Sequence, residues 1–541
     1  MNANVPQKKG GKGKNILLVI LSVVAAASVV FCVLALTTEL FMTKEEPKAR
    51  ANLVLYEGPK PIEASEAVSM KVDGNDLFVF ETAVNNTHSW KSNYMPSLST
   101  APVTSFDFDG GAVSMEITVN EEVELESAVV RPLLEGIVPE VEGNTIKFEI
   151  EKPGVYTVEY NDSVQTAMYI FANAIDYDAP TESTDNVKYI GPGAWSIDSI
   201  SLTDGMELYI SGGAIVQGTI FADGAKDIKI SGHGFLDGSH NPNWMLIGYN
   251  AYVPINLNKC QNVEISGVGV LDSNAWCVNL YYCSNVTVDG IKIISARPNG
   301  DGITIQSCQD VMVKNSFIRS WDDSLVVKNY ATESGSDSAN ITFDNCQIWT
   351  DLAQSMEIGY ETNKGNKVKP TISNITFQNI TVLHNFHKPV MSIHNADNCV
   401  ITGVRYSNIV VEDASMGKGD AGDNAQLIDI NNLKSNWTAV QNRGSVSDVV
   451  FDGIYVLDGD DMIDFIEGNF CPIRIQGYDE ESLCSNITVN DLYLLGEAVT
   501  DANVRDNPST SIDKFTEGIS FTNSGELPQS IEAVIHGTDG E

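Results

Sequence analysis

One short pattern, Asn or Asp followed by apolar-x-apolar, returns along most of this chain. It occurs at Asp227-Ile-Lys-Ile, Asn262-Val-Glu-Ile, Asn285-Val-Thr-Val, Asp310-Val-Met-Val, Asn340-Ile-Thr-Phe, Asn374-Ile-Thr-Phe, Asn398-Cys-Val-Ile, Asp448-Val-Val-Phe and Asn486-Ile-Thr-Val. The successive offsets are 35, 23, 25, 30, 34, 24, 50 and 38 residues. The shorter ones fit a single coil of roughly 22 to 30 residues, and the longer ones fit a coil carrying a loop insertion. Apolar and polar residues alternate at period two, so each unit reads as a short strand with one buried face. The leading Asn or Asp marks the bend into the strand, where a short polar side chain bonds the local backbone. A second strand follows most units, as in Gly290-Ile-Lys-Ile-Ile and Ser316-Phe-Ile-Arg. Strands stacked at this period predict a right-handed parallel β-helix over residues 187–506. A sandwich would show hairpin turns at closer spacing, and a propeller would show blades of about 40 residues.

The chain of 541 residues is too long for one small core. Residues 51–178 differ in texture from the repeat. Phe106-Asp-Phe, Val113-Ser-Met-Glu-Ile-Thr-Val, Ile146-Lys-Phe-Glu-Ile and Gly154-Val-Tyr-Thr-Val-Glu-Tyr alternate as strands between turn dipeptides such as Gly143-Asn144 and Pro153-Gly154. They predict a small antiparallel β-sandwich. Residues 507–541 read as a polar C-terminal tail.

At the other end, Lys8, Lys9, Lys12 and Lys14 precede an apolar run from Ile16 to Leu36. At about 1.5 Å per residue that run spans a bilayer core. The lysines favour a cytoplasmic segment 1–15, an anchor 16–36, a stalk 37–50 and an extracellular remainder. The expected location is therefore the cell membrane, single-pass, with secretion after signal cleavage as the alternative.

Charge and cysteine content narrow the partners. A net charge of −39 argues against nucleic acid, which needs clustered Lys and Arg. It also disfavours a polyanionic polysaccharide. Cys260, Cys283 and Cys308 each stand two residues before a repeat's Asn or Asp, so they either stack as a buried column or enter disulfides. Cys471 and Cys484 are the disulfide candidate to test first. No Cys-x-x-Cys pair or His-rich cluster points to a metal, no cofactor is expected, and a monomer is the simplest state.

The chemistry concentrates in residues 299–328, Asn299-Gly-Asp-Gly followed by Trp321-Asp-Asp-Ser-Leu-Val-Val-Lys328. Asp322 and Asp323 follow Asp301 by 21 and 22 residues, close to the repeat period, so the three share one corner of adjacent coils. Grouped carboxylates are what acid-catalysed cleavage of a glycosidic bond requires. Asp322 and Asp323 are neighbours, and on a regular strand they would face opposite sides. Asn and Asp are also ordinary bend residues, so any one of these aspartates alone carries little. Trp321 either stacks on a sugar ring or caps the core. Glu357 and Glu361 either line a cleft or face solvent from a coil.

The stretch Asn299-Gly-Asp-Gly, Asp322-Asp-Ser-Leu-Val-Val-Lys328 and Ile358-Gly-Tyr-Glu361 resembles the family 28 glycoside hydrolases, the polygalacturonase-like enzymes. Their pattern is Asn-Thr-Asp-Gly, Asp-Asp-x-x-x-x-Lys, and Gly-His-Gly running into Ile-Gly-Ser-Glu. The sandwich followed by Tyr189-Ile-Gly-Pro-Gly and Gly212-Gly-Ala-Ile-Val-Gln-Gly looks more like the related family 49 dextranases. The resemblance implies an extracellular, inverting glycoside hydrolase acting on an oligo- or polysaccharide. By position Asp322 would be the acid, Asp301 and Asp323 would hold and deprotonate water, and Lys328 would tune charge or bind substrate. Asn299, Trp321, Gln354, Glu357, Glu361, His387 and His394 complete the expected substrate contacts. Two departures bear on the substrate: Gln354 stands where the family has histidine, and the Arg-x-Lys motif that grips galacturonate has no match, with His387 and His394 in its neighbourhood. A non-catalytic glycan-binding surface protein and a polysaccharide lyase are the alternative functions.

Overall fold

The computed structural model describes residues 52–536 apart from 86–97, 243–251, 332–335, 366–367, 415–426, 459–472 and 507–509. The expected anchor at 16–36 lies outside the described residues. Among those described, no helix is long and apolar enough to cross a membrane.

Two sheets form first. Asn52–Leu55, Phe80–Val84, Ser99–Asp109, Ala128–Arg131, Gly154–Tyr160 and Ser163–Ala174 make one, and Val68–Val72, Asn75–Leu77, Val113–Val119, Glu140–Glu142 and Thr145–Ile150 the other. Their inner faces share a core that includes Met70, Phe106, Phe108, Met115, Ile117 and Ile170. The alternation read from the sequence places these side chains inward. One pairing departs from the antiparallel expectation: Ser99–Asp109 and Ser163–Ala174 run parallel. A tight turn at Asn161-Asp162 returns the chain from Gly154–Tyr160 antiparallel. That leaves the far edge of Ser163–Ala174 to a strand laid down much earlier, before the chain crossed to the second sheet and back.

From Val187 onward the strands form one large sheet in which strands pair in parallel with their counterparts one coil away, as in a parallel β-helix, apart from the short antiparallel return of Glu497–Ala498 on Cys484–Leu494. One row runs Val278–Tyr281, Ile303–Gln306, Leu325–Lys328, Met356–Tyr360, Met391–Asn395, Ile428–Asn432 and Ile473–Gln476. A second includes Asn262, Asn285 and Asp310 at its strand entries. A third runs Phe235–Asp237, Gly269–Leu271, Lys292–Ile294, Phe317–Ser320 and Gln347–Thr350. Inward side chains of all three rows form a continuous apolar core from Ile190 to Phe521.

The repeat's leading residues have a structural reason. Asp227, Asn262, Asn285, Asp310, Asn340, Asn374, Asp448 and Asn486 all adopt φ between 53° and 57°. Asn and Asp tolerate this left-handed region better than other side-chain-bearing residues. Their side chains also bond from coil to coil: Asn262 Nδ2 donates to Asp227 at 2.7 Å, Asn285 to Asn262 at 2.9 Å and Asn374 to Asn340 at 2.8 Å. The unit read at Asn398 is out of register. Thr402 and Val404 lie against Ser373 and Ile375, so the bend of that coil is Gly403, at φ 68°. Glycine enters this region without a polar side chain, which erases the sequence signature.

Cys260, Cys283 and Cys308 stack in the core, and the Cys283 amide donates to Cys308 Sγ at 3.2 Å. Cys484 is a buried free thiol, and Cys471 lies outside the described residues. Within the segment read as a polar tail, Thr516–Thr522 continues the stack against Cys484–Leu494. The helix Gln529–His536 then sets Ile531 on Val410, Tyr455 and Tyr493.

The sandwich lies along the outer face of the third row. Phe80, Val103, Tyr169 and Phe171 pack on Phe235, Leu271, Ile294, Phe317 and Trp349. Ions reinforce the seam. His384 sits between Glu159 of the sandwich and Asp413, 2.6 Å from each, and Arg131 reaches Glu412 at 2.9 Å.

Candidate active site

Asp301 precedes the strand Ile303–Gln306, and Asp322 and Asp323 form the bend between Phe317–Ser320 and Leu325–Lys328. Ile303 lies opposite Leu325, and the Gly302 amide donates to the Asp323 carbonyl at 2.8 Å. This register puts Asp301 and Asp323 at the same corner, one coil apart. Because Asp322 and Asp323 occupy a bend, the rule that strand neighbours face opposite sides does not apply to them. Asp301 and Asp323 are buried, at 2% and 8% exposure, whereas Asp322 is half-buried and reaches furthest toward solvent.

The glycines of Asn299-Gly-Asp-Gly serve close packing. A Cβ on Gly302 would lie 2.5 Å from both Ile318 Cγ2 and the Ser324 carbonyl, and one on Gly300 would lie 2.6 Å from the Arg297 carbonyl. A hydroxyl column supports the bends from behind. Ser320 and Ser324 are 2.6 Å apart, Ser324 and Thr350 2.7 Å, Thr350 and Ser355 2.8 Å, and Ser355 donates to Asn385 at 2.9 Å. This column has no periodic hydrophobic signature and was not read from the sequence.

Burial raises all three carboxyl pKa values. Asp301 is lifted well above the usual range by burial, with Lys328 opposing and Asp322 and Asp323 adding. Asp323 is lifted in the same way by burial and Asp322, against Lys328, with Glu357 adding. Asp322 is raised by burial and pulled back by Lys328 and by the backbone amides of Asp323 and Asn299. The Asp323 amide donates to Asp322 Oδ1 at 3.1 Å. Asn299 thus acts on Asp322 through its main chain.

Lys328 is the cation of the site. Its Nζ lies 3.6 Å from Asp301, 3.1 Å from Glu361 and 5.1 Å above the ring of Trp276. Burial disfavours its charge, but Glu361, Asp301 and Asp323 outweigh this and keep it protonated. Trp276, on the preceding coil, was not singled out by sequence, since one tryptophan in an apolar stretch reads as core. Gln354 is buried one coil beyond Asp323, and its amide donates to Asp323 Oδ1 at 3.2 Å.

The remaining expected contacts divide. Trp321 is 5% exposed, so its ring packs inside and offers no open face in this conformation. His387 is buried in the turn before Met391–Asn395, and its neighbour Lys388 acts on Asp322 electrostatically. Glu357 and His394 are fully buried against each other, with both Glu357 oxygens 3.0 Å from His394 Nδ1. They sit on the two coils that follow the strand carrying Lys328. Asp429 and Arg474, which continue this bonded set on the next two coils, were missed because they lie more than one hundred residues from the aspartates in sequence.

The family model described as Glycosyl hydrolases family 28 matches residues 199–491. Similar solved structures include Dex49A from Penicillium minioluteum, at 14% identity and TM-score 0.49, covering 87% of this chain and 96% of that one. The Yersinia enterocolitica family 28 exopolygalacturonase aligns at 13% identity and TM-score 0.42, covering 77% and 94%. The polygalacturonase from Erwinia carotovora ssp. carotovora aligns at 17% identity and TM-score 0.37, covering 63% and 85%. No curated protein sequence matches the chain.

Proposed function

The chain belongs to the glycosyl hydrolases family 28, the matched segment making up more than half of its length, and we propose that it hydrolyses a neutral or lightly charged glycan with inversion at the anomeric carbon. As a member it is a glycosidase, and a polysaccharide is its substrate class. The observation that carries the mechanism is the corner at which Asp301 and Asp323 stack in register beside the more open Asp322, with Lys328 alongside.

Two buried carboxyls and a half-buried one beside one ammonium do not all ionise, so the cluster retains a proton and titrates as a unit. Access, rather than the order of the shifts, gives that proton to Asp322. It is the member that a bound sugar reaches, and it donates to the leaving oxygen. Asp301 and Asp323, deeper and nearer Lys328, hold a water and take its proton as it attacks the opposite face of the ring. Lys328 keeps at least one of them ionised.

Charge supports the choice of glycan. Three cations close to the aspartates already engage carboxylates: Lys328 engages Asp301 and Glu361, His394 engages Glu357 and Asp429, and Arg474 engages Asp429. A polygalacturonate chain needs cations to receive its own carboxylates, best as a bidentate fork. At equal concentration and low salt, dextran-like or galactan-like oligosaccharides are expected to be cut faster than polygalacturonate, read as new reducing ends. Lys364, Lys367 and Lys369 cluster in the sequence just after Glu361 as flexible point charges, and a clear preference for polygalacturonate that is lost on neutralising them overturns this choice. The same reading sets the catalytic part outside the cell behind residues 16–36. The whole chain is then expected in the membrane fraction and a chain lacking residues 1–44 in the soluble one; equal partition of both contradicts it.

A further inference from the structure

Beside the aspartates, four side chains on four successive coils form a single row of alternating charge: Glu357, His394, Asp429 and Arg474. His394 Nδ1 lies 3.0 Å from both Glu357 oxygens, and Nε2 lies 3.0 Å from Asp429 Oδ2. Arg474 closes the row with Nε 2.9 Å from Asp429 Oδ1 and a second bond to Oδ2. Glu357 and Asp429 are 0% exposed and His394 is 1% exposed, so the partly exposed Arg474 is the end of the row nearest water. The Ser392 hydroxyl also bonds Glu357, and the Tyr406 hydroxyl lies behind it on the Ser392 carbonyl. The Tyr360 ring lies 4.4 Å from the imidazole at 13°. Gly359 has no room for a side chain here, since a Cβ would come 2.2 Å from the His394 carbonyl and 2.8 Å from Glu357 Oε1.

Both ring nitrogens of His394 face carboxylates, which accept and do not donate, so both nitrogens must carry protons. Burial alone would drive one proton off, but Glu357 and Asp429 hold it, raising the imidazole to about 10. Burial likewise opposes the Asp429 charge, and His394 and Arg474 still bring it down to about 2. Such rows are poor sources of stability, because desolvation consumes most of the Coulomb gain. The location of this one suggests another use. Asp323 lies opposite Gln354 of the next coil, where the Ser324 amide donates to the Gln354 carbonyl at 2.9 Å, and Glu357 follows three residues on, opposite Val326; from there its charge disfavours ionisation of Asp323. Other groups acting on Asp323 include Asp301, Asp322, Lys328 and the Gln354 backbone amide.

We propose that His394 is a positioning residue whose fixed positive charge shields Asp323 from Glu357 and thereby sets the lower pH limit of hydrolysis. This rests on Asp323 serving the attacking water. His394 touches no reacting atom in this role. Its charge acts through Glu357, and the row holds that charge in place.

The test is the pH dependence of kcat/KM for the full chain and for E357Q, H394Q and the double variant, whose acidic limb reports deprotonation of the base. In E357Q the limb moves to lower pH, because a negative charge near Asp323 is gone. In H394Q it moves to higher pH, because the shield is gone. Each shift is expected to be about one unit, the scale of one charge several ångströms away at an effective dielectric of about 20. The double variant returns close to the parent. A purely structural role would lower activity in both single variants without moving the limbs in opposite directions, and that result overturns the proposal. If H394Q does not fold, R474Q gives the same sign from the exposed end, with a smaller upward shift; an unmoved limb there also overturns it. Failure of the catalytic assignment is separable, because it appears as an active Asp323→Asn variant whatever the limbs do.

Discussion

Asp322→Asn should lower turnover by about two to four orders of magnitude, the scale of losing a positioned general acid. The amide keeps the shape of the carboxyl and can still accept from the Asn299 and Asp323 amides, but it has no acidic proton to give. Folding should survive, and the sign of the pKa shift says why. A carboxyl whose folded-state pKa is raised binds its proton more tightly in the folded chain. Its contribution to stability is therefore present at low pH and is lost as pH rises from the ordinary value of 3.8 through the folded one. Where Asp322 keeps its proton the amide replaces one neutral group with another, and where it has lost it the buried charge is a burden, so the asparagine variant should melt at or slightly above the parent temperature. Near-native turnover of this variant on an identified substrate would remove Asp322 from the acid's role.

The second large effect concerns stability. Arg319 and Asp351 are 0% and 1% exposed, and lie behind the bends that carry the aspartates. The guanidinium reaches Asp351 with Nε at 3.2 Å and Nη2 at 3.1 Å, bonds the Tyr169 hydroxyl of the sandwich, and lies 4.5 Å over the Trp349 ring. Trp349 Nε1 also donates to Asp351 at 2.9 Å, and the Asp351 amide donates to the Ser320 carbonyl, just before Asp322. Asp351→Asn leaves a buried guanidinium without its counter-charge, which costs about 3 to 5 kcal/mol. The expected result is a markedly lower melting temperature together with reduced activity, since the Ser320–Ser324 bend loses its backing. Replacing both partners with apolar residues of similar volume should recover much of the loss. A single variant that melts with the parent would show that the pair contributes nothing.

The fold was legible in the sequence where its reasons are local. The Asn and Asp bends were readable because left-handed backbone geometry selects those residues, and the apolar alternation because each strand has one buried face. Where glycine took the same bend, at Gly403, the signature vanished and the unit was read five residues early, at Asn398. The parallel pairing inside the sandwich was not readable, since it depends on which strand fills an edge left open long after that strand has formed. At the site, Asp301, Asp322, Asp323 and Lys328 share a short span and a coil-length spacing, so their meeting could be expected. The partners that define their surroundings come from other coils: Trp276 before them, and Asp429 and Arg474 far after. Glu357 and His394 were read as substrate contacts because charged side chains near a catalytic motif suggest binding. They are fully buried and bonded to each other instead.

The most direct test of the central claim follows the anomeric protons of the released sugar by NMR from the first minutes of hydrolysis, before mutarotation equilibrates them. Direct attack of water held by Asp301 and Asp323, with Asp322 protonating the leaving oxygen, gives the anomer opposite to that of the bond cleaved. If the first product instead keeps the configuration of the substrate, a carboxylate has acted as a nucleophile, and the roles assigned to these three aspartates are wrong.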